Sequence, residues 1–581
     1  MNRIVLVFVF LFVASVLHAQ NGKTFLKLVT PSKLTINTQT SRQFLIGNTC
    51  SGCTITVNKT PVKVYKTGSF AYELNLELGE TSFTVVASGG NTSAVTRTVS
   101  YAYTLPSPPD TVKTLLIASL DIQPAGDLLV QPGDVIRIKA KSMPGIKLTT
   151  LNNTPLEEMV DDKMPGIYQG EYMVQSTDSF KNAKIAVTAT NKSGMSVTRT
   201  SQFKLSSIDN QSSTMLVSKG RLAHLLFGIG EDRLGGAKMG YIDSLIPLKM
   251  LGKVGPNYKV QLSKNRTAYI PDDVVSFIPK GNFSGSSLTD KWQIYGDDNF
   301  DYVRIGMFAR LPYQSMQLVS PSKIIVDIFG ATNNTNWITQ LQSAKEVKNA
   351  WYEQIEDDVL RITIELKHQQ HWGHSIYYRG NNLIIRIKQQ PKNLSLDGLV
   401  IGVDAGHGGS NIGGAGPSGI AEKTLTLAVA IKLQKALEAK GAKVIMSRNA
   451  EKFFDNKERI LFYRDSLPDL LVSIHLNSSE DPIYSGGTST YYRYIGFKPL
   501  SHHIYTHLLD LGLKDYGNTG SFNFMLNSPI EYPNALVEAL FLSNPEEEEK
   551  IVDPQFQQQL ADKIVLGVED FLQEVAQQKQ I

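Results

Sequence analysis

Apolar and polar residues alternate along the first two thirds of the chain, and then the alternation stops. Between residues 23 and 104, runs such as KLTINTQ, TITVNKT, YELNLEL and TSFTVVASG put apolar residues at every second position, with Gly, Asn and Ser at the breaks. A period of two predicts short, half-buried strands, here a small β-sandwich. The proline-rich LPSPPD (105–110) predicts a linker. A second alternating stretch, 111–207, carries DVIRIKAKS, KIAVTATN and VTRTSQFKL, predicts another sandwich and ends in polar SSIDNQSS. A third, 214–280, contains YKVQLSKNRTAYIPDDVV; a fourth, 287–390, contains YVRIGMF, SKIIVDIFG, VLRITIELK and NLIIRIKQ. After Pro391 the apolar runs LVIGVDAG, AKVIMSR, DLLVSIHLN, TSTYYRYI and ALVEALFLS alternate with helical stretches, about 424–440, 456–466, 500–511 and 553–573. Strands of that kind with amphipathic helices between them predict an α/β domain over 396–575, a mixed and mostly parallel sheet flanked by helices. At 581 residues several domains are expected, and the prediction is a multidomain chain: all-β modules, then one α/β domain in which the chemistry should sit.

The β modules carry resemblances of their own. NTCSGCTITVNKTPVKVYKTGSFAYELNLELGETSFTVVA looks like the Ig-like adhesion and spacer domains of exported bacterial proteins. The third module is similar to bacterial SH3-like modules, with Ala268 and Tyr269 where a tryptophan is usual. The KIIVDIFG and LRITIELK strands of the fourth resemble the AMIN domain, a β-sandwich that targets cell-wall amidases to peptidoglycan. His371, Trp372 and His374, in HWGH between its last two strands, read as an exposed turn with a partly buried tryptophan rather than as a metal site.

Composition adds a location. The first residues hold Arg3, an apolar run from Ile4 to Leu17 and the small Ala19. This is the layout of a cleaved export signal over 1–19, and the run is short for a membrane span. The chain is expected to be exported, to the periplasm or cell envelope. Export favours a disulfide between the two cysteines, Cys50 and Cys53. A redox C-x-x-C wants a helix next, and the alternating residues that follow read as strand; an idle thiol pair stays open. A net charge of +4 permits weak attraction to an anionic polymer but does not argue for nucleic acid.

Three strands of the last third end near a titratable group: His407 in DAGHGG, His475 in DLLVSIHLN, and Glu538 in NALVEAL. Glu422 opens the first helix, directly after a glycine-rich loop. Functional groups gather at the carboxyl edge of an open α/β sheet, so two histidines and two carboxylates can meet there. Catalytic zinc takes three N/O ligands and leaves a position for water, and a further carboxylate serves as base and then acid. A dinucleotide reading of GAGPSG (414–419) fails, because its glycines come too far past the strand and the next strand ends in Arg448 without an acid. Ser473 with His475 lacks the G-x-S-x-G elbow of a serine hydrolase.

DAGHGG, GIAEKTLTL, VIMSRN, DLLVSIHLNSS and ALVEALFLSNPEEEEKI occur in the order and spacing of the zinc-dependent N-acetylmuramoyl-L-alanine amidases, over about 396–571. The resemblance implies Zn2+ held by His407, Glu422 and His475, with Glu538 as catalytic acid/base. It also implies the reaction, cleavage of the amide between N-acetylmuramic acid and the first L-alanine of the peptidoglycan stem. A retained ligand set argues against a purely adhesive wall-binding protein. Asp404 is expected to brace the His407 loop; Arg448 and Asn477 fall at recurrent family positions and take supporting or purely structural roles. The β modules leave room for a protein activator or a wall-targeting partner.

There are departures. Leu540 stands where the family has a small residue, which predicts a narrower site, and Asn411 stands where an aspartate is frequent. The segment from Tyr494 to Phe522 is too short for the long helix that covers zinc in the regulated, septal branch. His502, His503 and His507 read as a solvated helix face, and NPEEEEK as an acidic first helical turn.

Overall fold

The computed structural model describes residues 23–578 apart from 90–91, 106–110, 160–163, 209–213, 231, 233 and 279–284. The export signal, residues 106–110 of the linker and 209–213 of the second polar break lie outside the described residues. Among the described residues no helix is long and apolar enough to cross a membrane.

The alternating stretches fold as strands. A three-stranded sheet (Leu26–Thr30, Arg42–Thr49, Ser69–Asn75) accompanies a five-stranded one that includes Gly79–Ser88 and Val95–Tyr103. Leu45, Phe70, Val85 and Val99 are fully buried in their common core. Cys50 and Cys53 are bonded to each other in the turn between Arg42–Thr49 and Thr54–Val57, and strand follows, not helix.

The second and third stretches share one pairing network. Leu128–Val130 runs parallel to Ser196–Ser207 on one side and antiparallel to Pro247–Val254 on the other. The fourth stretch contributes a six-stranded and a four-stranded sheet, with Ile324 opposite Ile364 in the latter. Its core residues Trp292, Val303 and Val326 pack in one cluster with Leu216 and Val260 of the third.

HWGH is not an exposed turn. Trp372 is 2% exposed and packs into the core of the last third, its ring 6.0 Å from that of Phe571. His371 and His374 are buried too, and burial lowers them to about 4 and about 3, so both stay neutral. The His374 N–H donates to the Ile530 carbonyl at 3.0 Å. The partner that covers this segment lies more than a hundred residues away, so no local pattern could announce it.

In the last third, strands β1 (Val400–Ala405), β2 (Lys443–Met446), β3 (Leu470–Asn477), β4 (Thr488–Tyr491), β5 (Asp515–Thr519) and β6 (Asn534–Phe541) form one sheet in the order β2-β1-β3-β6-β4-β5. The first four in that order are parallel, and β4 meets β6 antiparallel. Helices α1 (Glu422–Ala439), α2 (Asn456–Ser466), α3 (Lys498–Leu509), α4 (Pro545–Val552) and α5 (Pro554–Gln577) accompany it. Three of the starts carry a side-chain cap. Asp455 and Glu458 make a capping box on α2, Asn544 caps α4, and Asp553 caps α5 with Pro554 in its first turn. The histidines of α3 are not simply solvated: His507 Nε2 lies 2.7 Å from Asp570, and His503 pairs with Glu574, both on α5.

Candidate metal centre

The parallel register decides what meets at the sheet edge. His475 on β3 lies directly opposite Glu538 on β6, and residues paired in parallel strands project to one face. His407 follows β1, and Glu422 is the first residue of α1. The ligand atoms of His407, Glu422 and His475 all lie within 4.8 Å of one another, a group able to hold a metal ion. Glu422 Oε1 is 3.1 Å from His407 Nε2 and 3.2 Å from His475 Nδ1. Its other oxygen accepts from the Gly414 N–H at 2.7 Å, and the Leu476 N–H donates to Oε1 at 3.0 Å.

The glycines of the loop have a steric task. A Cβ on Gly406 would sit 2.4 Å from the His475 ring. Gly413, at φ +69°, would put a Cβ 2.5 Å from Glu422 Oε2 and 2.7 Å from the His407 ring. The loop therefore doubles back so closely over its own two functional residues that side chains are excluded.

Protonation follows from the surroundings. Burial by itself would raise Glu422, but hydrogen bonds from His407 and His475 outweigh it and hold the carboxyl far below its usual range. Burial works to lower His475, yet the Glu422 carboxylate reverses the balance and raises it. Asn411 Oδ1 accepts from the Gly413 N–H at 3.2 Å, which fixes the amide's orientation, and lies 3.0 Å from His407 Nδ1. With Nδ1 directed at Asn411, His407 Nε2 lies 3.1 Å from Glu422 Oε1. A divalent cation bound there would take the place of the hydrogen bond between them, so the donor set fits a metal of the N/O-binding kind.

A second layer holds this arrangement. Asp404 is fully buried and accepts from Arg459 at 2.7 Å, Ser447 at 2.6 Å and Ser473 at 3.0 Å. Burial would raise it, but the Arg459 guanidinium prevails and keeps it ionised. Arg459 also donates to the Ala405 carbonyl at 2.7 Å and to the His407 carbonyl. Arg448 donates to the carbonyls of Ala405, Gly406 and Lys423, tying the loop to α1 from behind. Arg459 went unremarked in the sequence, although a signal existed: it shares the buried face of α2 with Ile460 and Tyr463, where a charge has no place without a partner.

A cleft of about 590 Å³ opens above the cluster, lined among others by His407, Glu422, His475, Glu538 and Asn477. Arg448 and Leu540 are not among its lining residues, and Leu540 is buried in the hydrophobic core instead of narrowing the opening. No residue from 495–522 lines it; that segment forms a 3-10 turn, α3 and β5.

A family model described as N-acetylmuramoyl-L-alanine amidase matches residues 401–570. The germination-specific N-acetylmuramoyl-L-alanine amidase of Bacillus subtilis is 32% identical over 197 residues, 31% of this chain and 82% of that protein. The uncharacterized protein YqiI of the same organism is 32% identical over 181 residues, 30% of this chain and 86% of that protein. The N-acetylmuramoyl-L-alanine amidase AmiC of Neisseria meningitidis is 29% identical over 218 residues, 30% of this chain and 52% of that protein. Through its last third, where the histidine–carboxylate cluster lies, the chain belongs to the N-acetylmuramoyl-L-alanine amidases, a family of hydrolases.

Proposed function

We propose that this chain is an exported peptidoglycan hydrolase of the periplasm or cell envelope. It cleaves the amide between N-acetylmuramic acid and the L-alanine of the stem peptide, in wall remodelling or daughter-cell separation. The observation that carries the reading is the convergence of His407, Glu422 and His475 within 4.8 Å at the floor of a cleft that Glu538 also lines. His407, Glu422 and His475 would hold Zn2+, which when bound acidifies water and polarises the scissile carbonyl. Glu538 takes a proton from the attacking water and passes it to the leaving nitrogen as the C–N bond breaks. The Gly414 and Leu476 N–H groups keep Glu422 aimed and ionised, and Asn411 holds His407 in the tautomer that can ligate.

Sacculi digested with the purified protein should release stem peptides bearing a new L-alanine amino terminus, and a chelator should stop the release. Glu538→Ala should retain about one zinc and lose roughly 10²–10⁴-fold in rate, whereas His475→Ala should lose both metal and activity. Sacculus digestion by Glu538→Ala at the wild-type rate would falsify the mechanism.

A further inference from the structure

The cleft is not built from the last third alone. Leu234, on the hairpin loop between strands His224–Leu226 and Lys238–Tyr241 of the third β stretch, lines it beside Phe524, Met525 and Leu526. The loop is closed at its base, where the Phe227 N–H donates to the Ala237 carbonyl at 2.9 Å. It is fastened to the opposite partner as well. Asn523 Nδ2 donates to the Leu234 carbonyl at 3.1 Å and to the Gly236 carbonyl at 3.2 Å. Arg493 holds Asn523 Oδ1 at 2.8 Å and also donates to the Lys238 carbonyl. Lys238 Nζ in turn reaches Ser528 Oγ at 3.3 Å, across the far end of the same wall. The wall segment is stiffened from within by aromatic contacts, Tyr491 to Phe522 at 4.6 Å and Phe522 to Phe524 at 4.6 Å between ring centroids.

The two sides of the cleft thus differ in chemistry. The lining includes the polar Asn411, Asn456, Asn477 and Ser478, whereas around Leu234 it is mainly apolar, with Phe524, Met525 and Leu526 beside the single amide of Asn523. A glycan strand offers hydroxyls and amides; the stem beyond the scissile bond begins with the methyl group of alanine. We infer that Leu234 is a specificity-determining residue, contributed by the third β stretch, which with Met525 and Leu526 forms an apolar wall against the first residues of the stem peptide. This rests on the amidase reading and adds the element that selects the peptide side of the substrate.

The test uses the full exported chain with Glu538→Gln to stop turnover, and a soluble N-acetylmuramoyl-peptide as probe. Leu234→Asp should weaken binding of that probe by roughly 10-fold, the scale of exposing one aliphatic side chain. The zinc content should stay at the parent's value. In active protein the same substitution should raise KM and leave kcat within about two-fold. Asn523→Ala, which unties the loop and leaves Leu234, Met525 and Leu526 in place, should weaken binding by a smaller factor. Equal binding by parent and Leu234→Asp, with a wild-type chain that cleaves sacculi, overturns the assignment of Leu234 alone. A Glu538→Gln parent that does not bind the probe, together with a wild-type chain that does not cleave sacculi, overturns the amidase reading, and this inference with it.

Discussion

Asn411 shows how one uncharged side chain can orient a candidate metal ligand. Its Oδ1 is committed as an acceptor by the Gly413 N–H, so His407 presents Nδ1–H to it and turns Nε2 toward Glu422. An aspartate would accept in the same way and hold the same geometry. Asn411→Leu should therefore weaken zinc binding by roughly 10–100-fold, while Asn411→Asp holds it near wild type, as read by chelator competition. The buried Asp404–Arg459 pair makes a sharper case. Arg459→Leu leaves an ionised carboxylate in a fully buried position and should destabilise by ~3–5 kcal/mol, measured by thermal or denaturant unfolding. At this scale the sequence was informative about the groups that carry chemistry, because histidines and carboxylates at strand ends have few other uses. It was silent about Arg459, whose partner comes from a strand 55 positions earlier.

At the scale of elements, the strand Lys238–Tyr241 and the turn Met525–Asn527 meet at an interface with an awkward charge. Burial, helped by Arg493 and Arg464, lowers Lys238 from 10.5 to about 7. Its neighbours there are the Tyr241 hydroxyl at 3.2 Å and Ser528, with no carboxylate within ion-pair distance among the described residues. Between pH ~7 and ~10.5 the unfolded chain holds a proton that the folded chain has released, so stability rises with pH across that window. Below pH ~7 both states are protonated and the cost of the buried ammonium is present in full. Lys238→Met should therefore melt higher than wild type at pH 6, with the gap closing toward pH 10 in a series of melting curves. The helix α4 teaches a related lesson. NPEEEEK is an acidic first turn, as its composition predicts, but two of those acids are spent elsewhere. Glu547 accepts from the N–H groups of Gly487 and Phe541, and burial raises it. Glu548 is fully buried and accepts from Ser418 N–H and Oγ and from Ser69 Oγ.

Those last bonds belong to the whole molecule, because Ser69 lies in the first β unit and Ser418 in the loop between His407 and Glu422. The Asn48 side chain of the same unit donates to the Ser418 carbonyl at 3.0 Å. Exposed ion pairs surround the contact, such as Arg42 to Asp481 at 2.8 Å and Lys66 to Glu549 at 3.7 Å, each worth ~0–1 kcal/mol. The buried bonds should dominate, since stranding a buried donor costs ~1–3 kcal/mol. Glu548→Ala should accordingly raise hydrogen exchange across residues 414–420 by roughly 10-fold, while 1 M salt, which screens the exposed pairs, leaves it near the wild-type rate. The first and third β stretches thus each fasten to a segment of the last third near the cleft, the first through the loop at Ser418 and the third through the segment around Asn523.

The amino-acid sequence by itself determined most of the order of strands and helices in the last third, though not the strand Asp515–Thr519. It also determined the change from all-β to α/β near Pro391 and the chemical identity of the four residues at the cleft. Each of these is written in local periodicity or in residue types with narrow chemical use, and both survive without knowledge of what packs where. Only the tertiary structure decided that Trp372 enters the α/β core, that Leu128–Val130 joins two β stretches into one network, and that Leu540 lies away from the cleft. It alone decided, too, that Arg459 underlies the His407 loop and that Leu234 walls the site. These depend on contacts between segments tens to hundreds of residues apart, chosen by shape and by the need to pair every buried charge, and periodicity carries no record of such partners.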